Sequence, residues 1–246
     1  MLAHVIWGEQ SPFRIFLLTL YARHEVVFFR LTYRLMNTRI INNSLVKWLF
    51  YVLLVYQVAQ WGITGTPVCP EDIEQFIESI GPTRIAVGPC RCRTANRACD
   101  HALETDIVIR TGFGIWRDLF NKEYREINAS ETVGILKKSH EQGMAQIAFK
   151  HMDIGTNENY FVICNCCADG CMPLLALQFY GPDKYPFHKG NRRAFLQSAA
   201  CTGCGTCVDY CVFSARSVMG GKARIGECFG CGLCASHCPS GASRMV

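Results

Sequence analysis

Two stretches near the C-terminus, CTGCGTCVDYCVFSA (residues 201–215) and CFGCGLCASHCPSGA (residues 228–242), are copies of one pattern. A shift of 27 residues superposes four cysteines, two glycines and an alanine. Each copy has the spacing C-x2-C-x2-C-x3-C, so three thiols at intervals of three surround one short turn and a fourth stands apart. The glycines allow the positive backbone angles that such a tight turn requires. The repeat therefore predicts two metal-binding loops, each lacking one local ligand.

This spacing is that of bacterial ferredoxins, in which the fourth cysteine of each run ligates the other cluster. Residues 192–246 resemble that module with two 4Fe–4S clusters. The resemblance implies two ligand sets: Cys201, Cys204, Cys207 and Cys238, and Cys228, Cys231, Cys234 and Cys211. The proline that follows the fourth cysteine is Pro239 in the second copy but Val212 in the first. Two zinc knuckles are the alternative, but zinc sites typically use C-x2-C pairs without the x3-C arm.

The chain has 246 residues and sixteen cysteines. A disulfide framework would explain many cysteines, but disulfide-dense domains are usually small and secreted. The first residues do not follow the basic, apolar and small-residue order of a secretory signal. We therefore expect reduced thiols, a cytoplasmic location, and metal ligation as the role of the closely spaced cysteines.

Residues 67–191 are predicted to form a small α/β domain. Helical patterns cover residues 70–81 and 128–143, the second with a capping box from Asn128 and Glu131 and a stop at Gly143. One strand is expected to end at Gly88–Pro89. Further strands are expected at residues 106–110, 145–150 and 160–164, without a clear order in the sheet.

Two more cysteine groups follow predicted strands. They are Cys90, Cys92 and Cys99, and Cys164, Cys166, Cys167 and Cys171. Residues two apart on an extended chain point to the same side, so each group offers a two-thiol face, and seven thiols converge if the strand ends meet. At least four are predicted to ligate a third site. An iron–sulfur cluster is preferred to zinc there, because it would extend an electron path. Burial as small hydrophobic residues is the other explanation, which we accept for Cys69.

Other polar residues give weaker signals. Arg91, Arg93 and Arg97 could donate hydrogen bonds to cluster sulfides, or they could be ordinary surface arginines. The scattered histidines His101, His140, His151 and His188 are interpreted as solvated or satisfied. The sequence shows no Ser-His-Asp set, paired-carboxylate site or phosphate loop, so no catalytic residue is predicted.

From residue 67 onward the chain resembles prokaryotic 4Fe–4S dicluster-domain proteins, in which a CxCR...C segment and an ICNCC segment precede a ferredoxin module. The matching residues are Cys90, Cys92, Arg93, Cys99, Ile163, Cys164, Asn165, Cys166 and Cys167. Members have further cysteines just after CNCC, where this chain has Ala168, Asp169, Gly170 and Cys171, so the fourth ligand stays open. The resemblance implies redox work within a larger assembly.

Residues 1–66 are apolar and basic and are predicted to be helical. The run 45–63 contains one charge, Lys47, and is just long enough for a membrane span, although Gln57 and Gln60 weaken that interpretation. Upstream, arginines alternate with apolar residues, as in a helix on an anionic membrane or against a partner subunit. Nucleic-acid binding is disfavoured despite the net charge of +5, because no recognition motif accompanies the basic residues.

The sequence thus predicts an α+β protein with an apolar helical region (1–66), a cysteine-rich α/β domain (67–191) and a bacterial ferredoxin-like domain (192–246). Its predicted function is that of an iron–sulfur subunit. It would relay single electrons through two 4Fe–4S clusters and a third cluster, within an oxidoreductase complex in the cytoplasm or at the cytoplasmic face of the membrane. Two alternatives stay open: a reductase that reacts at an unusual middle-domain cluster, and a redox-sensing or docking protein with structural zinc.

Overall fold

The computed structural model describes residues 11–55, 63–81, 83–151, 160–181 and 187–246, which form a mixed α/β structure. Its helices are α1 (Pro12–Met36), α2 (Ser44–Phe50), α3 (Ile73–Ile80), α4 (Arg91–Asn96), α5 (Arg110–Gly112), α6 (Ala129–Glu141), α7 (Met172–Tyr180), α8 (Thr206–Asp209) and α9 (Leu233–Ser236). Its strands are β1 (Ile63–Val68), β2 (Ile85–Pro89), β3 (Glu104–Ile109), β4 (Arg125–Ile127), β5 (Ala145–His151), β6 (Tyr160–Cys166), β7 (Ala194–Leu196), β8 (Arg216–Met219), β9 (Lys222–Ile225) and β10 (Ser243–Met245).

Strands β1 to β6 form one sheet in the order β1-β5-β6-β3-β2-β4, and every pairing in it is antiparallel. Strands β2 and β6 both pair with β3, so they run in the same direction, two positions apart. Gly88, Asp106 and Cys164 therefore form one row across the three strands. The two cysteine groups that follow β2 and end β6 consequently lie at the same edge of the sheet, with the start of β3 between them.

The sheet is buried on both faces, because alternate residues of its central strands enter two different cores. Ile107 and Ile109 pack with helices α3 and α6 on one face. Val108, between them, enters the other core, which Leu18 of α1 and Leu174 of α7 also join. This alternation follows from the two-residue period of a strand. It explains why the central strands read as continuous apolar runs.

The two predicted helices of the middle region are confirmed, with clear end signals. Helix α3 follows a short 3-10 turn at Pro70–Asp72 and ends at Gly81, which has φ +75°. Helix α6 is capped at its N-terminus by Asn128, whose side chain accepts the Glu131 N–H at 2.8 Å. The Glu131 carboxylate pairs with Arg125 at 2.6 Å.

Helix α1 has two apolar faces. Leu18 and Ala22 are buried against the sheet, so the predicted N-terminal region shares a core with the middle domain. The opposite face leaves large apolar side chains exposed: Phe13, Phe16, Leu20, Val27 and Leu31. Within the described ranges, no helix has the length and apolar character needed to cross a bilayer. Residues 56–62 of the predicted span lie outside those ranges.

The C-terminal region has two similar halves. Strand β7 pairs with β10 and β8 with β9, and α8 and α9 occupy equivalent places in the two halves. Phe213, Phe229 and Leu233 join the core on the α1 side of the six-stranded sheet. His140 of α6 also hydrogen bonds to Ser236 of α9 at 2.9 Å. The repeat is therefore packed against the middle domain.

Candidate metal centres

The first C-terminal cavity is lined by the first predicted ligand set. Cys201, Cys204, Cys207 and Cys238 surround a space of about 20 Å³. The turn between the first two thiols needs a glycine at Gly203, because its φ is +71° and a Cβ there would overlap the Gly221 carbonyl oxygen. The loop can therefore close around a small ligand only with this residue.

The second C-terminal cavity is lined by the other four cysteines, Cys211, Cys228, Cys231 and Cys234. The last cysteine of each run thus lies with the first three cysteines of the other run, as the ferredoxin resemblance implies. The physical reason is the pairing of the two halves, which places the end of one loop beside the start of the other. The eight thiols are sorted into two groups of four.

Backbone N–H groups point at several of these sulfur atoms. Ala223 donates to Cys201 Sγ at 3.4 Å and Ala215 donates to Cys211 Sγ at 3.2 Å. The Ala223 and Gly203 N–H groups lower the pKa of Cys201, whereas burial raises the pKa of Cys231 to about 12. A buried thiol of this second kind becomes an anion when a metal replaces its proton. The donor set therefore fits thiolate-bound clusters.

A third cavity, of about 70 Å³, lies at the edge of the sheet where β2 and β6 end. It is lined by six of the seven predicted middle-domain cysteines, Cys90, Cys92, Cys164, Cys166, Cys167 and Cys171. Cys99 is outside this lining. The strand ends converge as expected, but β3 separates them, and Asp106 of that strand also lines the cavity.

Five thiols in this cavity influence one another's pKa in series. Cys171 is the junction, since its pKa responds to Cys166 and to Cys92. Cys90 extends the series beyond Cys92, and Cys164 extends it beyond Cys166. Burial raises the pKa of Cys171, but the two thiol hydrogen bonds outweigh it and lower the pKa to about 6. Cys171 is therefore a candidate for the fourth ligand of the middle-domain site, which the sequence had not identified.

A buried arginine faces the thiols. Arg93 is 1% exposed, and none of the described carboxylates lies within 4.0 Å of its guanidinium. Burial lowers the pKa of Arg93, but the neighbouring Cys90, Cys167 and Cys99 side chains raise it further than burial lowers it. Its Nε has no hydrogen-bond partner among the described residues. Burying an unpaired cation is costly, and anionic thiolates at this site would offset that cost.

A second buried arginine joins the cavity to helix α1. Arg91 Nε lies 3.0 Å from Glu25 Oε1, and its Nη1 lies 2.7 Å from Glu123 Oε2. Its Nη2 is buried without a hydrogen-bond partner among the described residues. Arg97, by contrast, is exposed at the left-handed residue that ends α4. Two of the three predicted arginines therefore line the site, and both have an unused donor.

Two buried carboxyl groups in the cavity were missed by the sequence analysis. Trp116 donates to Glu25 at 2.7 Å, and Tyr124 donates to Asp106 at 2.6 Å. Burial raises the pKa of Glu25 to about 8 and also raises that of Asp106. Glu25 is the one acidic residue in the α1 sequence. Its isolation in an apolar, basic helix is the sequence feature that could have identified it.

Cys99 and His101 form a group with Cys167 beside the third cavity, which neither of them lines. Cys99 Sγ lies 3.4 Å from Cys167 Sγ. One ligand atom each from Cys99, His101 and Cys167 lie within 4.8 Å of one another. The sequence interpretation of His101 as solvated or satisfied did not predict this arrangement. The Cys-x-His spacing of Cys99 and His101 was the feature that could have indicated it. His140 is satisfied, since its ring contacts Gln146 and Ser236.

Cys69 lines none of the three cavities, although its sulfur packs beside Gly232 in the loop between Cys231 and Cys234. It is 2% exposed, and its thiol donates to Glu71 at 2.7 Å. This placement agrees with the interpretation of Cys69 as a small buried residue.

No protein-family model, curated protein or solved structure matches this chain.

Proposed function

We propose that this protein is an iron–sulfur electron carrier. Two 4Fe–4S clusters would be held by the two C-terminal cysteine sets, and a third cluster by four of the five connected thiols around Cys171. The observation that supports this most directly is the sorting of eight cysteines into two cavities of four. Such clusters, when bound, accept and release single electrons.

The positions of the cavities suit a relay. Cys204 of the first set is exposed, so an electron donor or acceptor can approach that cluster closely. Cys231 and Cys234 of the second set are buried. Phe213 and Phe229 line the second cavity and belong to the core shared with the six-stranded sheet, so this cavity adjoins the middle domain.

A series of packed aromatic rings connects the second cavity to the third. Phe213 and Phe229 line the second cavity and stack with centroids 4.7 Å apart. Phe187 contacts Phe213 at 5.5 Å and Phe149, which lines the third cavity, at 6.2 Å. This connection keeps the two sites in one dry core and supports electron flow between them.

A reductase activity at the third cavity is the second candidate function. The five connected thiols are one more than a cubane needs, and the cavity contains two buried carboxyl groups whose pKa values are raised, Glu25 and Asp106. Groups of this kind can deliver a proton to a reduced substrate. Loss of turnover in Glu25→Gln, with the iron content unchanged, would favour this candidate over simple electron transfer.

An electron carrier needs partner proteins, and α1 offers the surface for one. Its outer face exposes a row of large apolar side chains, among them Phe16 and Leu31, each 61% exposed. A patch of this kind usually marks an interaction site. We assign it to a partner subunit of an oxidoreductase complex. All sixteen cysteines are free thiols, which favours a reducing compartment such as the cytoplasm.

The decisive experiment measures iron and acid-labile sulfide, with electron paramagnetic resonance, on the full chain purified without oxygen. We expect about twelve iron atoms per chain, and about eight in a Cys166→Ser/Cys171→Ser double variant. Cys69→Ser, which replaces a buried thiol outside the three cavities, is the matched control and should retain about twelve. If both the unmodified chain and the double variant contained about eight iron atoms, the chain would bind no third cluster. Absence of iron and sulfide would refute the proposal as a whole.

A further inference from the structure

The Cys99, His101 and Cys167 side chains come from two loops that meet at the sheet edge. Cys99 and His101 lie between α4 and β3, and Cys167 follows β6 directly. The two sulfur atoms are 3.4 Å apart. Two ligands at about 2.3 Å from one tetrahedral zinc ion are about 3.7 Å apart. The pair is therefore spaced for one shared metal ion.

The histidine has its free nitrogen available for a metal. His101 Nε2 lies 3.1 Å from the Gln142 carbonyl oxygen, so this nitrogen has the proton and donates it. Nδ1 is then the nitrogen with the lone pair, and it is buried without a hydrogen-bond partner among the described residues. A metal-binding histidine normally donates its other N–H to a carbonyl or carboxylate in this way.

The two loops are held together by contacts that do not involve the three ligands. Asn96 donates from Nδ2 to the Gly170 carbonyl at 2.7 Å and accepts the Ala98 N–H at 3.1 Å. The left-handed residue Arg97, with φ +50°, reverses the chain between Asn96 and Cys99. The ligand arrangement is thus organised before any metal binds.

We propose that Cys99, Cys167 and His101 bind one Zn²⁺ ion at a site separate from the iron–sulfur centres. Two thiolates and one imidazole form a donor set that zinc prefers, and the two thiolates balance the charge of the ion. Cys99 and His101 are partly exposed, so water completes the tetrahedron. The ion joins the loop after α4 to the loop after β6. The five connected thiols still leave four ligands for a cluster.

The test uses the full chain, purified without oxygen, with zinc, iron and sulfide measured together. We expect about one zinc per chain, and loss of at least about four-fifths of it in His101→Ala and in Cys99→Ala. Iron and sulfide should stay unchanged in both variants, because neither residue lines the third cavity. His188→Ala, at an exposed histidine, is the matched control and should keep its zinc. His101→Cys should restore zinc binding, since cysteine supplies an equivalent ligand.

X-ray absorption at the zinc edge provides an independent measurement on the unmodified chain. We expect two sulfur ligands at about 2.3 Å and nitrogen or oxygen ligands at about 2.0–2.1 Å. Four sulfur ligands, no zinc, or a Cys99–Cys167 disulfide in its place would overturn the proposal. So would loss of iron together with zinc in His101→Ala, because that would mean one shared centre. Zinc without iron in the unmodified chain would instead refute the electron-carrier function and leave the zinc site standing.

Discussion

The Arg216 guanidinium donates a hydrogen bond from Nη2 to Cys234 Sγ at 3.0 Å, although the two residues belong to different halves of the repeat. The same nitrogen donates to Ser243 Oγ at 2.6 Å, and all three residues are buried. Hydrogen bonds and positive charge at a cysteine ligand favour the reduced form of an iron–sulfur cluster. Arg216 therefore occupies a position from which it can set the potential of the cluster that we propose for the second C-terminal cysteine set.

Replacing this arginine should make one cluster harder to reduce. In Arg216→Gln we expect the midpoint potential of a single cluster to become more negative, since the cation beside Cys234 is lost. A redox titration followed by electron paramagnetic resonance would measure the change. Arg224→Gln, at an exposed position of the neighbouring strand β9, is the control and should leave the potentials unaltered. Equal shifts in both variants would contradict a specific role for Arg216.

The crossover of the fourth cysteines makes a prediction about spectra. Cys211→Ser should damage the same cluster as Cys228→Ser, because both residues line the second cavity. Cys238→Ser should instead match Cys204→Ser, since both line the first cavity. Spectra of the four variants, each with about four iron atoms fewer or with an altered cluster, would show the pairing. Pairing of Cys211 with Cys204 would mean that each run binds its own cluster.

The contact between α5 and β6 predicts a large difference between the effects of substituting two glycines that are two residues apart. A Cβ on Gly112 would overlap the Phe161 carbonyl oxygen, whereas a Cβ on Gly114 meets nothing within 4 Å. Gly112→Ala should lower the free energy of unfolding by about 1–3 kcal/mol or more, because a backbone atom cannot move aside easily. Gly114→Ala should change it by less than about 0.5 kcal/mol. Chemical denaturation of both variants under identical metal loading would measure the difference.

The His140–Ser236 contact predicts a dependence of stability on pH. Burial lowers the pKa of His140 below its usual value of 6.5. The unfolded chain therefore takes up the proton more readily, so the free energy of unfolding decreases as the pH falls below 6.5. The slope from this one group is at most about 1.4 kcal/mol per pH unit.

Denaturant unfolding above and below this pH would reveal the contribution. His140→Gln should reduce the loss of stability on acidification, because glutamine takes up no proton. His24→Gln, at an exposed position on α1, is the control and should lose as much stability on acidification as the unmodified chain. An unchanged acid response in His140→Gln would show that other groups determine it.

Local patterns in the sequence predicted much of the secondary structure. Helices α3 and α6 follow from apolar spacing and from end signals at Asn128, Gly81 and Gly143, all of which act within a few residues. The cysteine spacing of the repeat predicted that each short turn brings three thiols together whatever surrounds it, and the ferredoxin resemblance implied the fourth. These features depend on neighbours along the chain.

The third cavity depended on tertiary structure. Strand β3 inserts between β2 and β6, and its antiparallel pairing places Asp106 among the cysteines. Helix α1 adds Glu25 from far upstream, and the loop after α4 brings Cys99 within 3.4 Å of Cys167. The sequence by itself determined which residues can ligate a metal. Long-range strand pairing and helix packing decided which of them meet. Those contacts join segments that are far apart in the chain, and separation along the chain does not determine distance in the folded protein.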